Sequence, residues 1–359
     1  MSMLDLRINR ICGIAILALV VMASSIGCYG STPQSGWSGP SDGNETLYVG
    51  SMEGRVLALN AATGEQKWEV ALPNEETPSQ IYGTPAIVGG VLYVGAYDKK
   101  VYALDADTGN KRWEFETEGP VIGGVAVENS LAFVGSSDGK FYALDVQTGQ
   151  KKWEYLTGEM IWSTPALHDG IVYFGSMDHN LYALYASNGT LKWKFKAGGA
   201  VASTPVIRDG ILFVGASDSH FYALDAATGA LEWQFEAGNW FWTKALLSNG
   251  TIYAGSLDRV FYALDASSGT LRWQFKTDGA VTSWPVLDGD TIVFGSKDGT
   301  VHALDANFGT QRWSFPVKAA VVAPLLAENG RIYFSSFDHS IYALESKTGK
   351  VLWSVQTKK

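Results

Sequence analysis

A tryptophan recurs at Trp68, Trp113, Trp153, Trp193, Trp233, Trp273, Trp313 and Trp353, with one spacing of 45 residues and six of 40. A fixed period of this size means one supersecondary unit copied along the chain, each copy needing its neighbour to cover its apolar face. A glycine stands four residues before every one of these tryptophans, from Gly64 to Gly349, preceded by an Ala-Leu-Asp-like stretch such as 222–225. Further upstream lies a Gly-Ser-x-Asp-like turn, as at 215–218.

Within one unit, four stretches read as strands: 201–207, 211–215, 220–224 and 231–236. Each is rich in β-branched and aromatic residues and is bounded by turn residues. No helical period separates them, which excludes parallel βαβ units and helical solenoids, and a β-solenoid normally repeats over fewer residues. The expectation is an all-β, eight-bladed β-propeller of four-stranded antiparallel blades over residues 37–359. The repeated Thr-Gly supplies a tight turn, and each indole is expected to pin an outer strand to the adjoining blade. First strand to last, each blade uses its own chain, so the ring closes without strand exchange and serves as a monomer.

The remaining composition narrows the function. Lys and Arg number 27 against 36 Asp and Glu, a net charge of −9, so the basic footprint that a phosphate backbone requires is missing and nucleic acid is not an expected partner. The two cysteines, Cys12 and Cys28, both precede the repeats, which leaves no cysteine-built metal site or disulfide in the ring. Arg7 and Arg10 stand before the apolar run 11–23, too short to span a bilayer but suited to the centre of an export signal. Residues 25–28, Ser-Ile-Gly-Cys, resemble the lipobox of bacterial lipoproteins. That resemblance implies cleavage after residue 27, lipidation of Cys28, and a short linker over 28–36. Tyr29 follows where an inner-membrane retention signal would carry Asp, so the expected place is the periplasmic face of an outer membrane, or the cell surface where no outer membrane exists.

Taken together, the pattern ALDxxTGxxxW resembles the tryptophan-docking motif of pyrroloquinoline-quinone (PQQ)-like repeats, with Tyr185 of the fourth unit departing at the Asp position. The same blades serve propeller lipoproteins of the barrel-assembly machinery (BamB-like) and quinoprotein dehydrogenases. The first resemblance implies a non-catalytic binding or assembly scaffold with envelope-protein partners. The second implies a PQQ-dependent oxidoreductase with Ca²⁺, whose members press the quinone between a tryptophan and a vicinal disulfide; the adjacent cysteine pair is lacking here. No cofactor, no catalytic residue and no metal ligand is therefore expected, and a sensor or capture protein for a small ligand or glycan stands as the alternative.

What departs from the repeat is a candidate site. Trp162, Trp240, Trp242 and Trp284, with Trp37, lie at odd offsets after the repeated tryptophan, on one side of the expected first strand. The intervening positions are small (Gly83, Gly123, Ser163, Ser203), as crowding around a central channel demands. Lys244 replaces the threonine found at 84, 164 and 204, and a cation among indole faces is suited to an anionic flat or sugar-like ligand. The competing reading is a filled channel with a snorkelling lysine. A second candidate is the five-residue insertion in loop 72–80, where Pro73, Asn74, Glu75, Glu76 and Pro78 make a stiff acidic segment suited to partner docking. The aspartates at 98, 138, 178, 218, 258, 298 and 338 occupy one repeated turn position and read as turn caps; the histidines read as packed or solvated residues.

Overall fold

A computed structural model describes residues 38–43, 45–73 and 79–357. The leader, Cys28, the linker and Trp37 lie outside them, as do Asn74, Glu75, Glu76 and Pro78. The described chain forms eight antiparallel sheets of four strands each, every sheet built from four strands consecutive in sequence. Blades one to eight span 41–71, 86–116, 126–156, 166–196, 206–236, 246–276, 286–316 and 326–356. Blade five is representative: Val206–Arg208, Ile211–Gly215, His220–Asp225 and Leu231–Glu236, with the register between the last two shifting at Ala223/Leu224.

One boundary differs from the sequence reading. The first strand begins at Val206, not at residue 201. Residues 201–205 bend at Ser203 and pair with no ladder, because here the chain is crossing from the outer edge of one blade to the inner edge of the next. The crossing does not alternate: Thr204 and Pro205 are buried alongside Ser203. Val201 and Ser203 are buried, and the Ser203 hydroxyl accepts from Gly215 N at 3.0 Å and donates to Gly215 O at 2.7 Å.

The core lies between blades. Tyr48, Val56 and Ala58 of blade one pack with Leu92, Val94 and Tyr102 of blade two, and equivalent clusters recur around the ring. Each repeated tryptophan donates Nε1–H to a carbonyl of the following blade at 2.8 to 3.1 Å. Only Trp113 and Trp193 are buried; the other six indoles are half-buried, so each stabilises less than complete burial would. The glycine four residues before the next tryptophan completes the dock. Gly229 has φ +74°, and a Cβ there would sit 2.7 Å from the Trp193 ring, so only glycine satisfies both the turn and the contact.

The repeated aspartates cap turns. In six blades a tyrosine hydroxyl donates to Asp Oδ2 at 2.5 to 2.7 Å, while Asp Oδ1 accepts the amide two residues on. In blade seven His302 replaces that tyrosine, its Nε2 stopping 3.9 Å from Asp298, with burial holding its pKa below the usual value.

Blade eight closes on blade one through side chains. Trp353 Nε1 and the Tyr333 hydroxyl both donate to Ala61 O at 3.1 Å, Ser335 donates to Ser38 O at 3.1 Å, and His339 faces Glu53 at 3.4 Å. On the inner strands, Glu328 shares a hydrogen bond with the Asp42 carboxyl, which with partial burial pushes its pKa up to about 7.

Candidate functional site

The crossing segments stand shoulder to shoulder around the central channel. A Cβ on Gly83 would meet the Gly123 carbonyl at 2.5 Å, and one on Gly123 would meet the Ser163 carbonyl at 2.7 Å, so the inner wall admits only small residues at this position. Gly124 N donates to Thr164 Oγ1 at 2.8 Å, tying equivalent positions of neighbouring blades. Turns between second and third strands lie against the same segments: Leu257 N donates to Trp240 O and Met177 N to Met160 O, at 2.9 and 2.8 Å. These turns and crossings together form one mouth of the channel.

At that mouth the structure brings the sequence-predicted tryptophans together. Trp240 and Trp242 are stacked, with centroids 5.9 Å apart and planes at 18°. Trp162, two blades away, meets Trp242 edge-on at 6.1 Å and 66° and donates Nε1–H to Ser137 Oγ at 3.2 Å. Blade five between them carries Ala202 at the equivalent position, which leaves the span open. One level deeper, Lys244 Nζ stands 5.5 Å from the centroid of Trp284. Desolvation alone pushes the Lys244 pKa down. Trp37, the remaining ring of the predicted set, lies outside the described residues.

Sequence reasoning missed part of the surface. Tyr82 and Tyr97 pair at 5.9 Å on the same mouth and are 38% and 40% exposed, and Met160 and Trp240 are 38% and 42% exposed. Once the five-residue insertion is allowed for, Tyr82 falls in the phase of Trp162 and Trp242, a signal the sequence did carry. The insertion itself is anchored at both ends. Leu72 and Ser79 are buried, and Ser79 Oγ bonds Asp98 Oδ2 at 2.8 Å and the carbonyl of exposed Pro73 at 3.1 Å. Among the described residues no three His, Cys, Asp or Glu side chains converge to hold a metal ion.

Over residues 24–161, 156–240, 238–301 and 257–359 the sequence matches the family described as outer membrane protein assembly factor BamB. The chain belongs to the BamB family. The crystal structure of BamB from Moraxella catarrhalis superposes with a TM-score of 0.74 at 23% identity, covering 85% of this chain and 95% of that one. A computationally designed protein, Ika8, gives 0.76 at 17% identity over 86% and 96%. Quinohemoprotein alcohol dehydrogenase from Comamonas testosteroni gives 0.70 at 16% identity over 78% and 67%. No curated protein matches the sequence. At these identities the solved structures speak to the propeller fold; membership of the BamB family rests on the sequence match.

Proposed function

We propose that this BamB-family chain is a non-catalytic scaffold of the cell envelope, lipid-anchored through Cys28, that docks envelope proteins on the aromatic mouth of its propeller. The observation that carries the reading is the contrast between repeat and departure. The repeated polar groups are largely spent within their own turns, whereas Tyr82, Tyr97, Met160, Trp240 and Trp242 expose apolar surface on one face. Exposed aromatic and Met clusters of this kind anchor protein interfaces. The tether fits the same picture, because the multiple acyl chains of a lipoprotein hold a ring at a membrane more firmly than one chain does.

The test is affinity capture of the lipidated protein from envelope extract, beside a Trp240→Ala/Tyr97→Ala double variant. The expected result is a defined partner captured by the parent and lost from the folded variant. Equal capture by both would remove the mouth from the interface, and a soluble, unlipidated mature form would remove the anchor.

A further inference from the structure

Below the exposed platform the channel carries a cation, half-buried Lys244, that no described carboxylate pairs with. At the level of Lys244 the neighbouring blades present Thr164 and Thr204 on one side and Trp284 and Pro324 on the other, so Lys244 brings the charge. Among the described residues the Trp284 face is its one charge-stabilising contact, and burial pushes its pKa down. A single cation–π contact returns less than withdrawing an ammonium from water costs. A ligand that returns a counter-charge recovers the difference.

Two further observations define that ligand. Thr282 is 9% exposed and its Oγ1 has no hydrogen-bond partner; it precedes Trp284 by two residues, in the phase that Trp242 occupies one blade earlier. An orphaned buried hydroxyl calls for a hydroxylated partner. Moreover, Trp240 and Trp242 stand 5.9 Å apart, short of the roughly 7 Å that a flat ring inserted between two faces needs at about 3.5 Å per contact. The ligand therefore covers Trp242 from one side, a contact the C–H face of a pyranose can make.

We infer that the throat of this propeller binds a hexuronic acid unit, with Lys244 pairing the carboxylate, Thr282 meeting a ring hydroxyl and Trp242 covering the apolar face of the sugar. The inference shares Trp242 with the docking mouth but has its own readout. Loss of protein capture leaves it untouched, and failure to bind sugar acid leaves the protein partner untouched.

The test titrates the intact mature protein with D-glucuronate, D-glucose and benzoate, followed by tryptophan fluorescence and calorimetry. Saturable binding of glucuronate, at least about tenfold tighter than glucose, is expected, as is loss of that preference in Lys244→Met. Thr282→Val should weaken glucuronate several-fold and leave benzoate unchanged. Without ligand, Lys244→Met should melt above the parent, since it removes the uncompensated charge. Equal affinity for glucose and glucuronate in the parent would overturn the anion site whether or not the variants fold. Benzoate binding as tightly as glucuronate would overturn the sugar assignment, and a Lys244→Met protein that melts below the parent would make the cation a structural element instead.

Discussion

Removing the tryptophan that closes the ring should reveal an interface unlike the other seven. Trp353 and Trp193 have matching surroundings: each donates to a carbonyl of the following blade at 3.1 Å, packs against a tyrosine at 5.9 or 5.8 Å, and faces a glycine whose Cβ would come within 2.7 Å. Truncation to alanine should cost about 3–5 kcal/mol at Trp193 and somewhat less at half-buried Trp353 if burial and packing alone decide. The linkage differs. Trp193 reaches a residue 33 positions away and Trp353 one 292 away, and a loop about nine times longer costs roughly 2 kcal/mol more to close. The chain itself also crosses seven interfaces, whereas within the described residues only side-chain and backbone contacts hold blade eight to blade one. Native-state hydrogen exchange should show amides of blades one and eight opening about 2 kcal/mol below those of blades four and five, and Trp353→Ala should widen that gap while Trp193→Ala does not. Uniform protection around the ring, or equal exchange profiles in the two variants, would refute the reasoning.

Other perturbations follow from the same packing. His302→Tyr should restore the hydroxyl-to-aspartate bond that six other blades make, raising stability by about 0.5–1.5 kcal/mol in denaturant titration. Because the pKa of Glu328 is raised to about 7 in the folded protein, against an ordinary value near 4.5, the native state holds the extra proton between those limits; stability should be full below pH 4.5 and decline as pH rises to about 7. Glu328→Gln should flatten that part of the melting profile. Trp242→Ala should cost clearly less than Trp193→Ala in thermal melts, since Trp242 packs at an open mouth and lacks the inter-blade hydrogen bond.

The architecture was legible because periodicity is redundant. Eight copies of one turn and one tryptophan state the same geometry eight times, and the strand boundaries at 211–215 and 231–236 follow from residues flanking fixed turns. The start of the first strand was not legible, because Val201 and Ser203 point inward as strand residues would while 201–205 lack a ladder partner. At the mouth, phase placed Trp162, Trp240 and Trp242 on one side. It could not say that rings two blades apart would touch, since this depends on the channel radius and on Ala202 leaving a gap. The Asp42–Glu328 pair was missed because it joins opposite ends of the chain. The signal lay in Asp42 standing where other blades have Ile87, Val127 and Leu167.

The direction of the tryptophan bonds sets an order of assembly. From Trp113 to Trp313, each indole finds its acceptor 33 residues later, so a blade delivered N-terminus first has its lock supplied by the blade behind it. Each newly emerged unit completes its predecessor and is itself left unfinished. The last has no successor and must turn back to Ala61, in the oldest blade. Blade one therefore waits with its receiving carbonyl unoccupied through the whole of synthesis, and a chain cut short anywhere in the ring exposes two unmatched faces that fit each other on separate molecules as well as on one.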